Sequence, residues 1–112
     1  MQMEVIEKKQ NDISIFEVSG RLDSNTSPEL EKQLFDAIEK GSKNVIVDFE
    51  GLDYISSAGL RVILKATKTL KGSDGIFVLC SLKDYVKEVF EISGFDSYLP
   101  IASTMDEALS RM

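Results

Sequence analysis

Two short runs open the chain, Met3 to Lys8 and Ile13 to Val18, in which branched apolar residues alternate with polar ones around the insert Gln10-Asn11-Asp12. Alternation with period two marks a strand buried on one face, and so short a polar insert joins two such strands as an antiparallel hairpin. Gly20-Arg21-Leu22-Asp23-Ser24-Asn25-Thr26-Ser27-Pro28 then breaks the pattern. Ser27 is placed to cap a helix that opens with Pro28 at its first position, and Leu30, Leu34, Ala37 and Ile38 recur at helical spacing until Gly41 can end it. Asn44 to Phe49 is a nearly continuous apolar run, the composition of a strand covered on both faces, with Glu50 to Ser56 read as the loop that follows it. A second helix is expected from about Ser56-Ser57 to Lys71, a strand over Ile76 to Cys80, and a third helix from Lys83 to Ile92 closed by Gly94. Leu99-Pro100-Ile101 reads as a short edge strand, and Ser103 or Thr104 as the cap of a last helix running to Met112.

This order predicts an α/β fold: one domain over 1–112, with a mixed sheet of four to five strands that starts from an antiparallel hairpin, and about four helices. In such sheets the loops leaving the carboxyl ends of parallel strands gather along one edge, where sites are usually built. Here that edge collects Asp23, Ser24, Asn25, Thr26, Asp53, Ser56, Ser57 and Ser81, a set rich in hydroxyls and carboxylates.

Composition narrows the chemistry. The 112 residues are 43% hydrophobic and 29% charged, enough apolar material for one core and too little chain for two. Thirteen basic against 19 acidic residues give a net charge of -6, which disfavours nucleic acid and anionic membrane as partners. No histidine is present and Cys80 is the single cysteine, so the commonest general base, the commonest metal ligand and an internal disulfide are all missing. Neither a signal-peptide pattern at Met1-Gln2-Met3-Glu4 nor a membrane-length apolar run is seen, and a cytoplasmic location is expected. No phosphate-cradling glycine motif occurs, so the chain is read as a non-enzymatic module without cofactor or metal whose partner is a protein or a small molecule.

The most informative stretch is Asp53-Tyr54-Ile55-Ser56-Ser57-Ala58-Gly59-Leu60, where a strand hands over to a helix with small residues in its first turn. Glycine inside a helix costs about 1 kcal/mol relative to alanine, so Gly59 implies a close approach, either by another element of the fold or by a partner landing on the turn. Ser56 or Ser57 suits an N-cap. On a helical wheel, Val62, Ile63, Ala66, Thr67 and Leu70 face the sheet, while Ser57, Leu60, Arg61, Leu64, Lys65 and Lys68 fall opposite. Two leucines among basic residues suggest a docking surface, or else a face covered by neighbouring helices. A phosphate on Ser57 would add about -1.5 to -2 charges at a helix start, which tolerates an anion, beside Asp53 and Asp23, where a docked partner would be repelled.

These residues resemble the STAS domain family, and within it the single-domain anti-sigma-factor antagonists. The resemblance covers essentially the whole chain and rests on Gly20-Arg21-Leu22-Asp23, on Asn44 to Phe49 before Asp53-Tyr54-Ile55, and above all on Ser56-Ser57-Ala58-Gly59-Leu60. It implies that Ser57 is phosphorylated by a partner that is both anti-sigma factor and serine kinase, and restored by a serine phosphatase. It implies further that the unphosphorylated form binds the kinase and frees sigma factor, while the modified form lets go. The best-known antagonists carry aspartate where this chain has Ser56, which leaves Ser56 as a second acceptor. The partner-facing set expected on this basis is Asp23, Ser24, Asn25, Thr26, Asp53, Ser56, Ser57, Gly59, Leu60, Arg61 and Leu64. Two alternatives stand beside it: a STAS module of another assembly, in stress signalling or lipid transport, and a Mg²⁺-dependent phospho-receiver using Asp23, Asp48 and Asp53.

Overall fold

The computed structural model describes residues 3–112; Met1 and Gln2, included in the single-domain reading and in the signal-peptide argument, lie outside the described residues. Strands β1 (Met3–Gln10) and β2 (Ile13–Leu22) form the expected hairpin, turned by Asn11 at φ 57°. Then follow α1 (Ser27–Glu39), β3 (Asn44–Ile55), α2 (Ser57–Gly72), β4 (Ile76–Cys80), α3 (Asp84–Ile92), a 3₁₀ turn at Phe95–Ser97, β5 (Ile101–Ala102) and α4 (Met105–Ser110). The sheet runs β1-β2-β3-β4-β5, antiparallel at β1-β2 and parallel throughout the rest.

Alternation decides which side chains meet. Phe16, Val18, Val45, Val47, Phe77 and Leu79 point to one face, where Leu30 and Leu34 of α1, Ile63, Ala66 and Leu70 of α2, and Val86 and Phe90 of α3 complete the main core. On the other face, Ala108 of α4 with Met105 and Leu109 covers Ile13, Ile15, Ile46, Val78, Cys80 and Ala102. Covering on both faces explains why Val45, Ile46 and Val47 are all buried.

Three expectations shift. The central strand does not stop at Phe49: Glu50 to Ile55, read as loop, continue β3, and β2 likewise runs past Val18 to Leu22. The cause is a pair of register shifts, between Glu17 and Ser19 and between Gly20 and Arg21, each setting an extra β3 residue against β2. Each extra residue lets two neighbours face outward, so the buried positions Phe49, Leu52 and Ile55 recur at every third residue and do not alternate. Gly51 is required there because a Cβ would lie 2.7 Å from the Ser19 Cβ. Helix α1 begins one residue earlier than expected, after Thr26, and Ser27 is not its cap, since its hydroxyl donates to the Asp23 carbonyl at 2.6 Å. Finally, β5 is Ile101–Ala102, with Pro100 contributing only a carbonyl to the Leu79 N–H at 3.1 Å.

Candidate functional site

Because β2, β3 and β4 are parallel, Leu22, Ile55 and Cys80 end at one edge, and the segments that follow them meet there. The Ser56 N–H donates to the Leu22 carbonyl at 2.9 Å, so the β2 end fixes the start of α2. Lys83, before α3, reaches Asp53 with Nζ 2.5 Å from Oδ1 and ties the β4 end to the β3 end. Ser81 takes the left-handed conformation at φ 63° between them.

Within this edge the two serines divide their work. Ser56 is the N-cap of α2, extended at φ -99°, ψ 175°, and its hydroxyl accepts the Gly59 N–H at 3.4 Å. Ser57, the first residue of the helix, is exposed, and its hydroxyl has no hydrogen-bond partner among the described residues. The cap explanation thus accounts for Ser56 and leaves Ser57 unexplained by local structure.

Gly59 resolves in favour of internal packing. It is buried, and a Cβ would sit 2.8 Å from Leu22 Cγ and 2.9 Å from Ile55 Cγ1. Leu60 is corrected in the same sense: at 7% exposure it belongs to the main core and has little surface left for a partner. A wheel drawn against the sheet alone leaves Leu60 outside, whereas in the fold it shares one core with Leu30 and Leu34 of α1 and Val86 and Phe90 of α3. Leu64, one turn on, is half-buried and borders a surface depression with Arg61, Lys65, Lys68 and Thr69.

The loop from Asp23 to Thr26 is mostly self-directed. Asp23 Oδ1 accepts the N–H groups of Asn25 at 2.9 Å and Thr26 at 3.1 Å, an Asx turn, while its own N–H donates to Thr26 Oγ1 at 2.9 Å. Partial desolvation works against ionisation here, but those N–H groups, the Thr26 hydroxyl and Arg21 together hold the Asp23 carboxyl below its ordinary range. Thr26, expected to touch a partner, is buried, its hydroxyl donating to the Arg21 carbonyl at 2.8 Å. Ser24 and Asn25 are exposed at the loop tip.

Three participants were missed by sequence reasoning. Arg21 stacks over the ring of Tyr54, 4.2 Å from its centroid, and lies 3.9 Å from Asp23. Tyr54 is 41% exposed, an aromatic presented at the same edge. Lys83 has its pKa raised, first by its hydrogen bond to Asp53 and against desolvation, with Tyr85 adding to the rise. Arg21 and Tyr54 meet because they are register partners beyond the second bulge, and Lys83 and Asp53 are 30 residues apart, so no local signal reveals either pair.

The three acids of the receiver alternative do not converge. Asp23 closes its own loop, Asp53 pairs with Lys83, and Asp48 lies on the α4 side of the sheet in a depression with Ile6, Glu17, Ser19 and Glu50. Burial pushes the Asp48 carboxyl up, with Glu50 and Glu17 adding to the rise, although the Glu50 N–H donates to it at 2.9 Å. Among the described residues, no group of three potential ligands is arranged to hold a metal.

Beside Ser57, between α1 and α2, runs a groove of about 320 Å³ lined by Ser24, Pro28, Glu31, Ala58, Arg61 and Lys65 among others. Its outer rim is crossed by the Lys65–Glu31 ion pair at 2.7 Å. The edge therefore offers an exposed, unpartnered serine hydroxyl at a helix start, flanked by a groove and by an aromatic-arginine stack.

A family model described as STAS domain matches residues 4–108. A Bordetella bronchiseptica protein assigned as an anti-sigma factor antagonist, BtrV, is 46% identical over 91 residues, 81% of this chain and 78% of its own. An anti-sigma-B factor antagonist of Staphylococcus aureus is 30% identical over 84 residues, 75% of this chain and 78% of its own. In fold, the crystal structure of an anti-sigma factor antagonist from Mycobacterium paratuberculosis superimposes with a TM-score of 0.91, covering 98% of this chain and 93% of that one at 21% identity.

Proposed function

The chain belongs to the STAS domain family, and we propose that it acts as an anti-sigma-factor antagonist, a cytoplasmic binding module without catalytic activity whose affinity for its partner is set by phosphorylation of Ser57. The partner is an anti-sigma factor that is also a serine kinase. Unmodified, the chain occupies that protein and sigma factor is released. In the kinase reaction Ser57 Oγ forms a bond to the γ-phosphorus of ATP as the bond to the bridging β-phosphate oxygen breaks. The hydroxyl proton goes to a base of the kinase, and ADP leaves. A serine phosphatase uses water to return the hydroxyl and release phosphate. The relatives named as anti-sigma factor antagonists support the regulatory class.

The observation that carries the choice of Ser57 is the contrast between the two serines. Ser56 already caps α2, whereas Ser57 is exposed and its oxygen is unengaged among the described residues. A phosphate there meets no packed side chain, and a helix start favours an anion, so the fold persists while the surface changes. The partner-facing set supported by exposure is Ser57, Arg61 and the rim of Leu64, with Ser24, Asn25, Asp53 and Tyr54 alongside. Mass spectrometry after incubation with the kinase and ATP tests the assignment: one phosphate is expected, on Ser57 and absent from Ser57→Ala. Phosphate on Ser56 alone would overturn it.

A further inference from the structure

We propose that Arg61 is an internal phosphate clamp: once Ser57 carries its phosphate, the Arg61 guanidinium of the same chain binds it. This rests on Ser57 as the acceptor and concerns what the modified chain does with its new charge.

Other cations at this edge are engaged. Arg21 is held by Tyr54 and Asp23, Lys83 by Asp53, and Lys65 by Glu31. Arg61 is exposed and has no carboxylate within ion-pair distance among the described residues. It follows Ser57 by four residues in α2, the spacing that brings side chains together on one helix face. Helical side chains also lean toward the amino end, so a long residue covers the turn before its own Cα. Arg61 accordingly lines the groove together with Ala58, in the turn that begins with Ser57. A guanidinium offers paired N–H donors that match two phosphate oxygens. Capture would draw Arg61 away from the groove, so one modification would both add an anion and remove a cation from the face offered to the partner.

The test uses the full chain with phosphoserine installed at position 57 by genetic encoding, so the result does not depend on whether any kinase selects that serine. The second ionisation of the phosphate is followed by ³¹P NMR titration in the parent and in Arg61→Gln, Arg61→Lys and Lys68→Gln chains. Lys68 is exposed, lacks an ion-pair partner among the described residues and lies farther along α2, so its variant makes the same charge change without the clamp. We expect the phosphate pKa to rise by about half a unit or more in Arg61→Gln, as removal of a close opposite charge requires, to rise less in Arg61→Lys, and to stay put in Lys68→Gln. An unchanged value in Arg61→Gln, or an equal rise in Lys68→Gln, would overturn the clamp while leaving the Ser57 assignment standing. Failure of the kinase to modify Ser57 would do the reverse.

Discussion

At the residue scale, the first turn of α2 shows how a poor helix former can be the right one. Gly59→Ala gains about 1 kcal/mol of helix propensity but forces a methyl against Leu22 and Ile55 at under 3 Å, an overpacking that costs about 1–3 kcal/mol. The expected net result is destabilisation by about 1 kcal/mol in urea unfolding; a stabilised variant would show that the close approach is not rigid. Asp48 gives a prediction of opposite sign. Its folded pKa is raised by burial and by Glu50 and Glu17. Such a carboxyl opposes folding once it is ionised in both states, and the penalty is absent below the ordinary carboxyl pKa of about 3.9. Asp48→Asn keeps an acceptor for the Glu50 N–H and should raise the urea midpoint at pH 7, the gain shrinking as the pH falls toward about 4. A midpoint lowered at pH 7 would mean that the carboxylate is better accommodated than its surroundings indicate.

Elements decide what single residues cannot. Ser56 and Ser57 are chemically identical and differ only in their place on α2, one at the cap and one inside the first turn. Ser56→Ala should therefore cost about 1 kcal/mol of stability, and Ser57→Ala should stay within about 0.5 kcal/mol of the parent. Equal effects in thermal unfolding would contradict the division of roles. The same scale explains what was legible in the chain. The Asn11-Asp12 turn, Gly41 and Gly94 with their positive φ values, and the inward stripe from Val62 to Leu70 are local signals, and they read correctly. The arm from Glu50 to Ile55 was not legible, because its bulges replace alternation by a spacing of three. Nor was the burial of Leu60, which depends on which helices flank α2. Of the candidate site, the position and identity of the serines could be read from the motif, but the Arg21–Tyr54 stack and the Lys83–Asp53 pair come from register and tertiary approach.

For the whole molecule, the proposed function asks for a sheet that keeps its shape while the chemistry at its edge changes. The helix layer and α4 cover opposite faces, and Cys80 lies fully buried between strands on the α4 side. Burial pushes its thiol up to about 11. A thiol reagent at pH 8 should thus label Cys80 only as fast as the domain opens, and rapidly in denaturant; prompt labelling of the native protein would show that the second core is loose. Rigidity matters because the proposed switch works by charge and not by rearrangement. The most direct measurement of that claim is calorimetric titration of the anti-sigma partner with the unmodified chain and with the chain carrying phosphoserine at position 57, alongside the circular dichroism and Tm of both forms. Binding weakened by about 100-fold, roughly 2.7 kcal/mol, with spectrum and Tm essentially unchanged is the predicted result. Equal affinities, or a weakened interaction accompanied by loss of the fold, would contradict it.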